Sequence, residues 1–160
     1  MTSLRGKMKS RRLIGLPVID EHRGTILGRV IDIIISPRLQ VEGLVIGGRG
    51  GKRLLLLDHL TIGQDAILVS DLRGLKPVKN GEHPTRIKDR IGLLVVDREG
   101  RELGVMSDLV VEPDSKAVQG IEISSGLIKD FIDGRSEVPL ERVDNIGQGA
   151  MVLNNEEEQT

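Results

Sequence analysis

The sequence contains no cysteine, no tryptophan and no tyrosine, and its only aromatic residue is Phe131. Without cysteine, disulfide bonds and thiolate metal ligands are excluded. With a single aromatic side chain, the stacking platforms that bind single-stranded nucleic acid are excluded as well. The core must therefore be built from isoleucine, valine and leucine, which suit pleated strands.

The sequence also has no large excess of charge of either sign and no long apolar run. The 23 basic and 24 acidic residues give a formal net charge of −1, which argues against general electrostatic binding to nucleic acid. The longest apolar runs are too short for a membrane-spanning helix, and the N-terminus lacks the apolar core of a signal peptide. We therefore expect a cytoplasmic protein, for which peripheral membrane association stays open.

One stretch of the chain occurs twice. Residues 15–36, GLPVIDEHRGTILGRVIDIIIS, return at residues 92–112 as GLLVVDREGRELGVMSDLVVE. Each copy reads as an apolar strand, an aspartate, a turn that ends in glycine, and a strand that opens with Leu-Gly and stops before a proline. Such a duplication predicts two similar units. Each unit is small for an independent core, so we expect the two to pack on each other or on a partner.

The duplication predicts five parts: a basic N-terminal tail at 1–12, a first unit at 13–70, a linker at 71–90, a second unit at 91–153 and an acidic tail at 154–160. Chain ends of this composition are typically frayed, and a proline-containing segment without periodicity is typical of a spacer. The alternative for the N-terminal tail is a tether to an acidic protein, ribosomal RNA or anionic lipid.

The long strand of each copy breaks strict alternation. Val30 and Ile33 are both apolar but have opposite parity, and an ordinary strand cannot turn both inward. A β-bulge near Asp32, and another at the equivalent Asp108, would restore a common inner face. Bulges bend strands, and barrels need bent strands. The pattern therefore predicts an all-β fold of two small barrels in tandem.

The aspartates of these strands have a catalytic and a structural interpretation. A working pair of carboxylates needs closeness and shifted pKa values, and the sequence does not place Asp32 near Asp108. We expect each to accept hydrogen bonds from backbone N–H groups that its bulge frees. Asp20 and Asp97, which follow the first strand of each copy, are expected to cap turns.

The sequence predicts no metal site, no cofactor and no catalytic residue. The three histidines, His22, His59 and His83, lack the spacing of metal ligands. No nucleophile, base and orienting group can be assembled. The glycine-rich loop at 47–52 joins two strands instead of opening a helix, so phosphate binding is not expected. Small barrels fill with their own side chains, which leaves no room for a small ligand inside. Without a catalytic set, we expect a protein that is not an enzyme.

The repeated landmarks resemble those of the PRC-barrel family, over residues 13–69 and 91–153. They are the Gly-strand-Asp opening, the glycine-containing turn, the Leu-Gly strand with its aspartate, and the Pro-Leu-x-x-Val segment at 138–143, where the first copy has Leu56 in place of Pro139. The resemblance implies two tandem barrels. They would be similar to the cytoplasmic barrel of the photosynthetic reaction centre H subunit and the C-terminal barrel of the ribosome maturation factor.

The family's settings imply binding and not chemistry. The first prediction is an adaptor or assembly factor that binds a protein partner, either another protein or a second copy in a homodimer. The alternative is a factor linked to ribosome or RNA processing that holds a ribosomal protein. Its basic segments would touch ribosomal RNA, so nucleic acid would be at most an indirect partner.

Five residues are predicted contacts. Ile34 and Val110 are apolar on the expected outer face of the bulged strands, which favours a contact between the barrels or with a second chain; scattered surface residues are the alternative. Arg49 and Lys52 lie in the glycine-rich loop, which we expect to be a hairpin tip that meets a partner. Phe131 lies in a longer excursion at 124–137, as an aromatic anchor for a partner or as part of the core.

Overall fold

A computed structural model of the 160-residue chain describes residues 6–78, 84–125 and 135–154. These residues form fourteen β-strands: β1 (Met8–Lys9), β2 (Pro17–Asp20), β3 (Ile26–Ile35), β4 (Val41–Gly47), β5 (Arg53–Leu56), β6 (Leu60–Ile62), β7 (Ile67–Val69), β8 (Leu75–Pro77), β9 (Leu94–Asp97), β10 (Glu102–Val111), β11 (Val118–Ser124), β12 (Arg135–Pro139), β13 (Val143–Ile146) and β14 (Ala150–Leu153). Short 3₁₀ turns cover Ser10–Leu13, Leu57–His59, Leu72–Gly74, Ile87–Asp89 and Leu140–Arg142.

The strands form two separate sheets, one for each copy of the repeat. The first has the order β6-β7-β2-β3-β4-β5-β8, and the second the order β12-β11-β10-β9-β14-β13, with β1 added to β10. Neighbouring strands are antiparallel except for the pairs β2–β7 and β9–β14, which are parallel. The prediction of an all-β fold of two duplicated units is confirmed.

In each sheet, a short turn of the chain connects strands from opposite sides of the sheet, which requires the sheet to curve. In the first unit β5 runs through the 3₁₀ turn Leu57–His59 into β6, and in the second β12 runs through Leu140–Arg142 into β13. Branched aliphatic side chains fill the interior, with Leu44 and Leu55 of the first unit and Leu109 and Ile121 of the second at 0% exposure. Truncating such a residue to alanine costs about 2–5 kcal/mol.

The predicted bulges are present at equivalent places. The pairing of β3 with β4 skips Ile31, and the pairing of β10 with β11 skips Ser107. As predicted, Val30 and Ile33 are consequently both buried in the core, although their parity differs. A second irregularity near the end of each strand, after Ile34 in β3, has no signal in the apolar pattern.

The segments that precede the two units cross to the opposite barrel. Met8 and Lys9 of β1 pair with β10 of the second barrel. Ahead of the second unit, Arg86 bridges Ile34 of the first barrel, and the Ile35 N–H donates to the Thr85 carbonyl at 2.9 Å. Residues 8–11 are therefore not a frayed tail, because the second barrel pairs with Met8 and Lys9 and bonds to Ser10 and Arg11.

The segment between the units is also folded in part. After the first unit, β8 pairs with β5, and the 3₁₀ turn Ile87–Asp89 leads into the second unit. The sequence predicted a solvated spacer at 71–90. In the structure both ends of this segment pack on the first barrel, so any solvated part is shorter than predicted.

Candidate functional site

The crossing segments and the two bulges meet at the junction of the barrels. They line a cleft of about 380 Å³, here called the junction cleft, to which both units contribute. Its charged side chains are Arg11, Asp32, Lys88 and Asp108, and its exposed apolar side chains are Ile14, Ile31 and Ile91. The structure thus brings together Asp32 and Asp108, which the sequence could not place near each other.

Asp108 anchors the N-terminal segment and is only 1% exposed. Its Oδ1 accepts hydrogen bonds from the Leu109 N–H at 2.7 Å and from the Ser10 hydroxyl, and its Oδ2 accepts from Arg11 Nη1 at 3.0 Å. The predicted bond between this aspartate and the backbone of its own bulge is confirmed. The bonds from the crossing segment, which include one from the Arg11 N–H at 3.2 Å, are additional, and they join the two halves of the molecule.

Glu122 is a second buried acid beside the junction cleft, with 3% exposure. Its carboxylate lies 3.0 Å from Arg11 Nη1 and 3.2 Å from Lys9 Nζ, and it accepts a bond from the Ser107 hydroxyl at 2.7 Å. Burial raises the pKa of Glu122, but hydrogen bonds from Ser107, Arg11 and Lys9 outweigh burial and lower this pKa to about 2. Glu122 is thus a permanent anion at neutral pH.

The cations of the N-terminal segment are correspondingly stabilised in their charged form. Partial burial lowers the pKa of Lys9, but hydrogen bonds to Glu137 and Glu122 outweigh it and leave the pKa raised. The hydrogen bond to Glu122 raises the pKa of Arg11. Attraction between these opposite charges therefore holds β1 on the second barrel.

The first barrel holds the other crossing segment in the same way but more loosely. Asp32 accepts a bond from the Ile33 N–H at 2.9 Å, which confirms its predicted role at the bulge. It also lies 3.3 Å from Arg86 Nη1 and 3.7 Å from Lys88 Nζ. Val45, which pairs with Asp32, occupies the place that Glu122 has beside Asp108. The first barrel therefore has one buried acid here where the second has two.

A further set of contacts joins the barrels through the turn between β3 and β4. The Gln40 amide mimics a strand, because it donates to the Val118 carbonyl at 3.1 Å and accepts from the Val118 N–H at 2.9 Å. From the second barrel, Lys116 Nζ donates to the Leu57 carbonyl at 2.8 Å. The two barrels are thus connected by backbone pairing, ion pairs and side-chain amide bonds.

The exposed isoleucines are the apolar part of the junction cleft. Ile14 and Ile91 occupy equivalent places in the two copies and are 43% and 44% exposed, and Ile31 is 43% exposed. The backbone fixes the first two, because the following Gly15 and Gly92 donate to the long strand of their own barrel at 2.8 and 2.7 Å. Apolar side chains clustered in a polar rim are typical of interaction sites.

The predicted contact residues lie in different places. Ile34 and Val110 are 7% and 3% exposed, and each pairs with the segment that crosses from the other unit. Arg49 and Lys52 are exposed at the hairpin between β4 and β5. Phe131 lies outside the described residues. Participation of any of the five in partner binding stays a prediction.

The other polar residues singled out in the sequence make contacts within the fold. Asp20 accepts from the His22 N–H at 3.0 Å, and Asp97 accepts from the Arg101 N–H at 2.9 Å, so both cap turns as predicted. His59 Nδ1 lies 4.0 Å from an Asp71 oxygen. Within residues 6–78, 84–125 and 135–154, no cluster of three or more histidine or carboxylate side chains is arranged to hold a metal ion.

The fold and the junction define the class of protein: a tandem of two small duplicated β-barrels joined at a shared cleft. The chain belongs to the PRC-barrel family: the family model of the PRC-barrel domain matches residues 5–76 and again residues 85–159. No curated protein is significantly similar to the chain. Among the described residues, no helix has the length and apolar character needed to cross a membrane.

Proposed function

We propose that this protein is a cytoplasmic, non-enzymatic adaptor or assembly factor that binds a protein partner in the junction cleft. The observation that carries the proposal is the cluster of Ile14, Ile31 and Ile91, each more than 40% exposed and drawn from both barrels. Burying exposed apolar surface is the main favourable contribution to most protein association. Membership of the PRC-barrel family is compatible with an interaction module.

The fixed shape of the junction cleft supports the same function. Ion pairs and backbone bonds hold the crossing segments before any partner arrives. A preorganised surface loses less conformational entropy when it binds, and this increases affinity without any new contact.

The chemistry of the junction favours binding over catalysis. Asp32 and Asp108 each bond to the backbone of their own strand and pair with a cation of a crossing segment. Glu122, with its pKa lowered to about 2, is a poor proton donor or acceptor near neutral pH. These carboxylates therefore act as anchors for the crossing segments.

We do not propose the ribosome-linked alternative, since its RNA contacts were assigned to the basic N-terminus and linker. Lys9 and Arg11 pair with Glu122, and Arg86 and Lys88 pair with Asp32. Each of these four cations therefore already has an acidic partner on the opposite barrel.

The proposal is tested by crosslinking the tagged full chain in its native cell and identifying the captured protein by mass spectrometry. We expect the double variant Ile14→Glu/Ile91→Glu to lower the yield of that protein at least about tenfold, as loss of central apolar contacts does. The matched control is Ile26→Glu, because Ile26 is 63% exposed and lies outside the junction cleft. Equal capture by the wild-type protein and a correctly folded double variant would contradict the proposal.

A further inference from the structure

The first barrel has a surface cleft of its own, between the start of β3 and the glycine-rich hairpin that joins β4 to β5. The cleft has a volume of about 530 Å³ and is here called the arginine cleft. Its lining includes Arg29, Arg49 and Arg53, and among the described residues no acidic side chain lines it. The whole chain has 23 basic and 24 acidic residues, so cations gathered in one cleft without an acid are an uneven distribution of charge.

The fold holds two of these guanidinium groups in place. Arg29 Nη1 donates to the Gly15 carbonyl at 2.8 Å, and Arg53 Nη2 donates to the Leu27 carbonyl. Each of these bonds uses only part of the donor capacity, because a guanidinium group carries five N–H donors in a planar fork. Both groups therefore keep further donors for another acceptor.

The arginines of the cleft have no acidic partners, unlike those of the junction. Arg11 and Arg86 pair with Asp108 and Asp32. Within residues 6–78, 84–125 and 135–154, by contrast, no carboxylate forms an ion pair with an arginine of the arginine cleft. Like charges that share a cleft repel one another, and the positive potential of such a cleft concentrates anions. An anion bound there would relieve this repulsion.

Arg53 carries a donor that the fold leaves unfilled. Its Nε is buried, and the described part of the chain provides no hydrogen-bond acceptor for it. A buried donor without an acceptor is costly. Gly50 lies over this group, since a Cβ at Gly50 would be 3.8 Å from both Nε and Cζ of Arg53. Glycine changes its backbone conformation with little steric hindrance, so an oxyanion that enters beside Gly50 gains this donor.

The second barrel shows that the shared fold does not require these arginines. The strand register places Val105 where the first barrel has Arg29, and Ser136 where it has Arg53. The second barrel forms the equivalent strand pairs with these uncharged residues. The arginine cleft is therefore a feature of the first barrel alone, and it is not needed to build a barrel of this kind.

The chemistry of the cleft favours a phosphate group. Guanidinium groups donate pairs of parallel N–H bonds to the oxygens of phosphate, and these charge-assisted bonds are stronger than neutral ones. A nucleobase is less suited, because the lining has no aromatic side chain on which a base could stack. The sequence alone predicts no phosphate binding at 47–52, since this loop opens no helix; the fold adds Arg29 of β3 and Arg53 of β5 to the loop.

We propose that the arginine cleft binds a phosphate group, either as free inorganic phosphate or as the headgroup of an anionic phospholipid. Arg29, Arg49 and Arg53 hold its oxygens. This site goes beyond the proposed function, since it lies in the first barrel and shares no residue with the lining of the junction cleft.

The test titrates the ¹⁵N-labelled full chain with sodium phosphate, with sodium chloride at equal ionic strength as the reference. At mildly acidic pH we expect the Nε–H resonance of Arg53 and the amide resonance of Gly50 to shift and saturate with phosphate only. The double variant Arg29→Val/Arg53→Ser carries the residues of the second barrel at these places. It is expected to weaken phosphate binding, followed at Gly50, at least about tenfold.

Two further variants separate the cleft from general charge and from loss of folding. Arg23→Gln/Lys52→Gln removes the same charge from exposed positions of the first barrel outside the cleft lining. We expect it to change phosphate affinity less than about threefold, because solvent and salt screen exposed charges. Arg49→Gln, at the exposed hairpin, leaves the strands intact and is expected to weaken binding at least about threefold.

A vesicle experiment distinguishes the two sources of phosphate. Co-sedimentation with phosphatidylcholine vesicles that contain phosphatidic acid, and its loss in the double variant, would identify a lipid headgroup. Saturation by inorganic phosphate without co-sedimentation would identify free phosphate.

Three results would overturn the inference: no saturable shift at millimolar phosphate, an equal shift in chloride, or undiminished binding by the folded double variant. None of these readouts involves Ile14 or Ile91, so this inference and the proposed function can fail separately.

Discussion

Glu122 shows how one residue of the second copy changes what its barrel can hold. Its counterpart by strand pairing is Val45, and the change from an apolar side chain to a carboxylate adds a partner for both Lys9 and Arg11. Removing a buried acid from water is costly unless it is paired and hydrogen-bonded. Here the bonds from Ser107 and Arg11 supply that compensation.

The lowered pKa of Glu122 predicts a specific dependence of stability on pH. Its pKa falls from the ordinary 4.5 to about 2 in the folded protein, so its contribution is present above the unfolded pKa and is lost as the pH falls towards 2. We expect Glu122→Gln to be less stable than wild type at pH 7 and the difference to shrink between pH 5 and pH 2. Urea unfolding over this range measures it, and Glu42→Gln, on the exposed face of β4, is the control. A difference that stays constant with pH would contradict the assignment.

The sequence predicted residue roles where the causes are local. The bonds of Asp32 and Asp108 to the next N–H follow from the bulge, which the apolar pattern reveals. The role of Glu122 was missed because its partner Arg11 lies 111 residues away. The repeated Leu-Gly has two causes in the structure. A Cβ at Gly28 would lie 2.4 Å from the Gly47 carbonyl oxygen and one at Gly104 would lie 2.6 Å from that of Ser124, and both glycines have positive φ angles, of 153° and 140°.

At the scale of elements, the two crossing segments have unequal anchors. Arg11 lies 3.0 Å from both Asp108 and Glu122, whose side chains are 2% and 4% exposed. The other segment has Arg86 and Lys88 at 3.3 and 3.7 Å from a single buried acid, Asp32, and the Lys88 side chain is 62% exposed. Pairs with buried carboxylates are screened little by solvent, and the N-terminal segment has two of them where the other segment has one, so it should be held more firmly.

This inequality predicts the outcome of matched truncations. We expect Arg11→Ala to lower the free energy of unfolding by about 1–3 kcal/mol, because two buried acids lose a partner. Lys88→Ala is expected to cost less than about 1 kcal/mol, because the Lys88 side chain is 62% exposed and Arg86 still pairs with Asp32. Urea denaturation of both variants measures the difference. Equal costs would show that the two segments are anchored alike.

The sequence predicted elements as far as neighbouring residues define them. Hairpins such as β4–β5 and β6–β7 follow from alternation and turn glycines. Two pairings join distant segments: the parallel pair β2–β7 spans about 50 residues and the pair β1–β10 about 100. Closing such long loops leaves no signal in the local sequence pattern. For this reason the sequence predicted a tail at residues 1–12, which include β1.

At the scale of the whole molecule, each of the two duplicated barrels is completed by a segment that precedes the other barrel. Each unit is small for an independent core, and each receives a segment that precedes the other unit. The mutual exchange buries Ile34 and Val110, which are the outward apolar residues of the long strands. It also forms the junction cleft, which no single barrel could provide.

The crossing of β1 to the second barrel is the central claim, and cysteine pairing tests it most directly, since the chain has no cysteine of its own. Met8 faces Val111 across β1 and β10, and facing Cα atoms of paired strands lie about 4.5–5.5 Å apart, within the range of a disulfide. We predict that mild oxidation forms an intramolecular disulfide in Met8→Cys/Val111→Cys and not in Met8→Cys/Ile35→Cys, which probes the equivalent strand end of the first barrel. A disulfide in the second variant and none in the first, identified by mass spectrometry of peptides, would contradict the crossed arrangement.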